Sequence, residues 1–97
     1  MAKGYLVVHL GVTDPEQFEK YREKVPATIA QYGGRYLIRG GAMETMEGDE
    51  LPPRTVLLEF DSVAQAKTWY NSPEYQEIIG IRLGASTGQA QIVEGID

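Results

Sequence analysis

One stretch limits what this chain can become more than any other: EFDSVAQAKTWYNSPEY, residues 59–75. It carries two helix starts in succession. Ser62, with Gln65 three residues on, is the pattern in which two side chains close a first helical turn reciprocally. Ser72-Pro73 begins another helix, with serine as N-cap and proline at the first helical position, where its missing N–H costs nothing. Val63, Ala66 and Trp69 or Tyr70 recur at helical spacing between the two starts. Trp69, Tyr70 and Tyr75 are therefore expected to meet at one helix–helix corner.

The remaining segments order themselves around that corner. Residues 4–12 are apolar and largely β-branched, and they end at Thr13-Asp14-Pro15, so they predict a first strand. Asp14 caps a helix with Pro15 at its first position and Gln17 closing the turn. Phe18, Tyr21, Val25, Ile29 and Tyr32 fall on one stripe of this helix. Pro26 interrupts the stripe; it removes a hydrogen bond and crowds the preceding turn, so a kink or break is expected near Val25. Gly33-Gly34 ends the helix. Residues 35–46 predict a second strand, loosened at Gly40-Gly41 by a bulge or a close approach. Residues 47–53 form an acidic, proline-containing turn, and residues 54–61 a third strand. Helical segments follow over 63–71 and 73–83, the second with Tyr75, Ile78, Ile79 and Leu83 on one side. Gly84 and Gly88 bracket a loop before a last strand over 89–94.

The order β-α-β-β-α-β is the split βαβ plan. It implies an α+β, ferredoxin-like fold in a single domain over residues 1–97. Right-handed crossovers give a four-stranded antiparallel sheet of order 4-1-3-2 with the helices on one face. Alternation along the strands separates Leu6, Val8, Leu10, Tyr36, Ile38, Val56, Leu58, Phe60, Ala90 and Ile92 from the residues between them. The first set is apolar and is expected to face the helices. The second mixes Tyr5, Val7, Leu37, Leu57 and Val93 with His9, Arg39, Glu59 and Gln91. A small monomer rarely leaves that much apolar area in water, so a second copy of the chain is expected on this face, as a homodimer.

Composition removes several function classes. A formal charge of −5 with no basic run argues against a nucleic-acid partner. There is no cysteine, hence no disulfide and no thiolate chemistry. No apolar run approaches the ~20 residues of a membrane span, and no signal-peptide pattern opens the chain, so a cytoplasmic protein without membrane partners is expected. A single histidine, and no glycine-rich phosphate loop or dinucleotide fingerprint, predict neither metal nor bound cofactor.

GGRYLIRGG (33–41), EG (47–48), VLLEF (56–60), WYNSPEYQ (69–76), Arg82 and VEG (93–95), taken together and in order, resemble the small bacterial family called domain of unknown function 1330. The resemblance spans nearly the whole chain. It implies a dimeric α/β barrel, in which two ferredoxin-like sheets face each other with helices outside. The wider superfamily includes cofactor-free monooxygenases, a lactone isomerase and haem-degrading enzymes. The family itself brings no established catalytic residues.

Two groups of residues are therefore read from the chain itself. His9, Arg39 and Glu59 share the expected open face as a catalytic candidate. In that arrangement Glu59 orients His9, and Arg39 binds an anionic or enolate-like oxygen. The structural reading of the same three residues is a buried ion pair, whose breakage costs on the order of 3–5 kcal/mol. Trp69, Tyr70, Tyr75 and Arg82 are substrate-binding candidates between helices and sheet; aromatics at helical spacing also serve simply as core. Glu44, Glu47, Asp49 and Glu50 read as a solvated loop. The expected function is a cofactor-free small-molecule enzyme, monooxygenase- or isomerase-like. The alternatives are a binding protein for a small apolar or anionic metabolite, and a structural or stress-related homodimer.

Overall fold

The Gly33-Gly34 pair ends the first helix in the way its residues dictate. Gly33 takes φ +78°, a conformation open to glycine, which lets Gly34 N–H reach the Ile29 carbonyl and Gly33 N–H the Ala30 carbonyl. In the computed structural model, which describes residues 2–96, the elements are β1 (Gly4–Val12), α1 (Pro15–Gln31), β2 (Arg35–Arg39), β3 (Arg54–Phe60), α2 (Val63–Tyr70), α3 (Pro73–Ala85) and β4 (Ser86–Glu94). Met1 and Asp97, the ends of the expected domain, lie outside the described residues. The sheet is antiparallel with order β2-β3-β1-β4, the ferredoxin-like α+β arrangement that the element order implies.

All three helix starts are capped as the sequence requires. Gln17 N–H donates to Asp14 Oδ1, Gln65 N–H to Ser62 Oγ and Tyr75 N–H to Ser72 Oγ. The reciprocal half of the box at Ser62 is not made. Gln65 instead turns its amide to the Tyr32 carbonyl at 2.7 Å, tying α2 to the end of α1.

Four expectations need correction. Helix α1 runs unbroken through Pro26. Val25 and Ile29, on either side, are buried in the core, and packing of that face offsets the one lost backbone bond. The loop expected between Gly84 and Gly88 does not exist: α3 runs to Ala85, and β4 begins at Ser86, paired with Val12. Ala85 is fully buried and its carbonyl accepts from Thr13 and Asp14 N–H, so the end of α3 is fixed to the end of β1. Strand β2 stops at Arg39, not Met46, because Gly40 turns to φ +73° and the chain leaves the sheet. The bulge lies within β2, not at Gly40-Gly41. Tyr36 pairs with Leu58 and Ile38 with Leu57, so Leu37 is an extra residue.

The core lies between one helix layer and one sheet face. Leu6, Val8, Leu10, Leu58 and Phe60 from the sheet meet Phe18, Val25, Ile29, Trp69 and Tyr75 from the helices, all buried. The backbone measures 35 × 34 × 16 Å, and the short dimension is that of two layers. The opposite sheet face has no helix on it. Leu37, Ile38 and Val93 are 50%, 40% and 48% exposed, all three at the sheet's two edge strands.

The α2–α3 corner depends on Ser72. Its buried hydroxyl accepts from Tyr75 N–H and donates to the Trp69 carbonyl at 2.7 Å, serving the end of one helix and the start of the next. Ser72→Ala should therefore lower stability by about 1–2 kcal/mol, within the range for N-cap removal, read as a fall in the urea midpoint at unchanged slope.

Candidate functional site

Strand alternation and one extra residue decide which side chains share a site. Glu59 lies on the open face, where Tyr5 Oη donates to it at 3.0 Å and Arg35 Nε at 2.7 Å. These bonds, that to Arg35 first, hold the Glu59 carboxyl below the ordinary carboxylate range. His9 lies on the same face but pairs with Thr55, while Glu59 pairs with Tyr5. The four positions between Tyr5 and His9 put roughly 13 Å between the two sites at strand rise. His9 Nδ1 meets Thr55 Oγ1 at 3.2 Å, and no carboxylate orients it among the described residues.

Arg39 belongs to the other face. The bulge at Leu37 inverts the alternation of β2, so Arg39 pairs with Val56 and its guanidinium carbon sits 4.8 Å over the Tyr36 ring, on the helix side. The cluster of His9, Arg39 and Glu59 is therefore not formed. Register separates its first and last members, and the bulge removes the second. The partner of Glu59 is Arg35, which is half exposed, so this is a screened surface pair and not a buried one.

The substrate-binding candidates meet as expected. Trp69, Tyr70, Tyr75 and Arg82 line one cavity between the helices and the sheet. Its volume is about 40 Å³. That holds about two or three waters. The Tyr75 and Trp69 rings lie 4.1 Å apart, and Tyr70 and Tyr75 5.5 Å. Trp69 donates its indole N–H to Thr28 Oγ1 at 3.0 Å, and the Tyr21 and Tyr75 hydroxyls meet at 2.8 Å. Arg82 is 7% exposed, carries no ion pair among the described residues, and its Nε has no hydrogen-bond partner there.

Four further lining residues escape the sequence reading: Tyr21, Arg22, Tyr36 and Arg54. Tyr21 sits on the apolar stripe of α1 and looks like core. Arg54 left a usable signal, since it shares parity with Val56, Leu58 and Phe60 and so points to the helix side. Among the described residues no aspartate, glutamate or histidine lines the cavity. Nor do three His, Asp or Glu side chains converge anywhere among them as a metal would need.

The hydroxyls at the floor are hydrogen-bond donors and not bases. Burial, then proximity to Tyr75, pushes the Tyr21 hydroxyl far above the ordinary phenol value, and burial raises Tyr75 as well. Of the pair, one proton is spent on the other oxygen. The second remains free to point at an occupant.

The fold and this cavity define a small α+β protein with a helix-to-sheet pocket. The chain matches the family model Domain of unknown function (DUF1330) over residues 3–96 and belongs to that family. No curated protein matches it in sequence. Among solved structures it is similar to RPA0582, a protein of unknown function from Rhodopseudomonas palustris, with 14% identity and TM-score 0.74 over 96% of this chain and 80% of that one. It is similar to SnoaB, a cofactor-independent oxygenase from Streptomyces nogalater, with 11% identity and TM-score 0.66 over 100% of this chain and 96% of that one. An uncharacterized NIPSNAP domain protein from Burkholderia xenovorans shares 17% identity with TM-score 0.59, over 100% and 94% of the two chains. At these identities the likeness is one of fold.

The raised hydroxyls carry a stability consequence. A phenol whose folded pKa exceeds its unfolded value of ~10 contributes fully below pH ~10 and loses that contribution as pH rises further. Tyr21→Phe should cost about 1 kcal/mol at neutral pH, for one lost hydrogen bond. The difference from wild type should shrink above pH ~10. Urea unfolding across pH 7–11 measures both.

Proposed function

We propose that the protein is a cofactor-free small-molecule enzyme whose reaction centre is the floor of the helix-to-sheet cavity. The observation that carries this reading is the convergence of the Tyr21–Tyr75 hydroxyl pair with buried Arg82, whose Nε is unpartnered, on an otherwise apolar cavity. Donors fixed in a dry site stabilise a negative oxygen that develops during reaction, and do so without reorganising. An enolate or phenolate oxygen fits the one free hydroxyl proton of the pair and a guanidinium. With water taking up the α-proton, such an anion can give an electron to dioxygen, as in oxygenation, or regain a proton from water at another carbon, as in isomerisation. SnoaB, which is similar in fold, is a cofactor-independent oxygenase, and this supports the class by analogy alone.

A second reading, a binding protein without chemistry, is favoured by one observation: among the described residues no carboxylate or histidine lines the cavity to accept a proton. The two readings separate in D2O. A panel of small enolisable carbonyl compounds should exchange their α-protons for deuterium in the presence of wild-type protein, followed by proton NMR. Tyr75→Phe should slow that exchange by about 10²-fold, the effect of losing one oxyanion donor. Binding without any exchange supports the binding protein, and no binding at all overturns the site.

The uncovered sheet face supports a homodimer. Leu37, Ile38 and Val93 are exposed there beside half-buried Tyr5, Val7 and Leu57. The two-layer thickness leaves this face in water unless another sheet covers it. Apolar area of this kind is removed most economically by a two-fold copy of itself. Sedimentation equilibrium at micromolar concentration should give about twice the 10.8 kDa chain mass. A stable monomer would overturn the dimer and leave the cavity reading intact.

A further inference from the structure

Around the cavity four arginines gather where, among the described residues, none is matched by a lining carboxylate: Arg22 from α1, Arg39 from β2, Arg54 from β3 and Arg82 from α3. Arg82 belongs to the floor. The other three form a separate group about Tyr36. Arg39 lies over the Tyr36 ring, and the Arg54 guanidinium carbon lies 5.6 Å from the centre of the Phe18 ring. Arg22 and Arg54 each hold a buried Nε with no partner. Among the described residues the sole carboxylate paired with any of the three is Glu19, which accepts from Arg22 Nη1 at 2.9 Å from the exposed side of α1. Burial, and after it the nearby charges of Arg22 and Arg39, holds the pKa of the Arg54 guanidinium below its ordinary value.

Three guanidinium groups held together with so little counter-charge are unfavourable, and the backbone is shaped to hold them. Only the extra residue at Leu37 turns Arg39 to this side of the sheet. Gly40, with its positive φ, leaves the space that the Arg54 guanidinium fills, where a Cβ would collide with it. Two departures from regular structure thus border one cluster of cations.

We infer that the mouth of the cavity is a carboxylate site, in which Arg22, Arg39 and Arg54 take the carboxylate of a small organic acid whose body reaches in toward Tyr21, Tyr75 and Arg82. The inference rests on the reading of the cavity as the functional site and adds the chemical class of its occupant. Planar guanidinium forks match a planar carboxylate in two parallel hydrogen bonds. The same forks also match phosphate, but the lining beyond them is mostly apolar, which suits the body of an organic acid better than a fully hydrated inorganic anion. At about 40 Å³ the inner cavity takes only the leading edge of that body, and the rest lies at the mouth beside its carboxylate.

Benzoate and benzamide, which differ in charge and hardly in shape, test this. Trp69, the single tryptophan, stacks on Tyr75 in the cavity wall and reports occupancy by its fluorescence. Benzoate should quench Trp69 with at least tenfold tighter binding than benzamide, and 0.5 M NaCl should remove most of that difference. Arg54→Gln should abolish the preference. Arg39→Gln, at an exposed residue whose loss cannot unfold the chain, should reduce it severalfold and keeps the test open if the Arg54 variant fails to fold. Arg35→Gln removes a guanidinium from the opposite face and should change nothing. Equal binding of benzoate and benzamide, or a preference unaltered in Arg39→Gln and Arg54→Gln, overturns the carboxylate site while leaving the cavity as the functional site. Inorganic phosphate displacing benzoate at equal concentration overturns the choice of carboxylate. Failure of both compounds to perturb Trp69 overturns the inference and the site together.

Discussion

Two buried hydrogen bonds hold the helix layer in one position on the sheet: Trp69 Nε1 to Thr28 Oγ1, and Tyr21 to Tyr75. Both run from α1 to the α2–α3 corner. Apolar contact between helices is non-directional and lets them slide by small amounts; a buried donor and acceptor do not, because misplacing them leaves both unsatisfied. With α1 fixed this way, Arg22 is carried to the cavity edge one residue after Tyr21. With α3 fixed, Arg82 reaches the floor two turns beyond Tyr75. Three of these four bonded side chains, Tyr21, Trp69 and Tyr75, line the cavity.

The sheet supplies the other wall by parity. Residues 54, 56, 58 and 60 of β3 face the helices, and residues 55, 57 and 59 face away. What the helix face needs is mostly apolar bulk, which Val56, Leu58 and Phe60 provide. At the end of that series, where the core thins, parity delivers a charge instead, Arg54. Its guanidinium lies over the Phe18 ring and lines the cavity. The negative overall charge of the chain coexists with this positive mouth because the acidic side chains among the described residues lie outside the lining, among them those on helix exteriors, those in the long connection before β3, and Glu59 on the open sheet face.

How far the sequence discloses this depends on the range of the physics. Caps and stops are local, so Asp14, Ser62, Ser72 and Gly33 could be read directly, and β1 has the limits its residues predict. Element order and the sheet order follow from handedness. The corner of Trp69, Tyr70 and Tyr75 was legible from helical spacing. Pairing register was not: the face shared by His9 and Glu59 was correctly read, but their distance along it depends on which residues sit opposite, a non-local quantity. The Leu37 bulge was invisible because an apolar residue among apolar residues leaves no mark of being one too many. Pro26 misled for the opposite reason, since its local cost is plain and the packing of Val25 and Ile29 that offsets it comes from partners distant in sequence.

The bulge has an evolutionary consequence. On a regular strand, residues that line a cavity and residues on the open face alternate, so each set can drift without touching the other. At β2 a one-residue insertion or deletion exchanges the two inventories at once. It would carry Arg39 from one side of the sheet to the other and Ile38 the opposite way, with no substitution at all. Because β2 is an edge strand followed by a long irregular connection, such length changes are sterically cheap there. Relatives with this architecture can thus change the lining of their cavity by an indel in β2, and a comparison that aligns them without gaps would set a lining residue against an open-face residue.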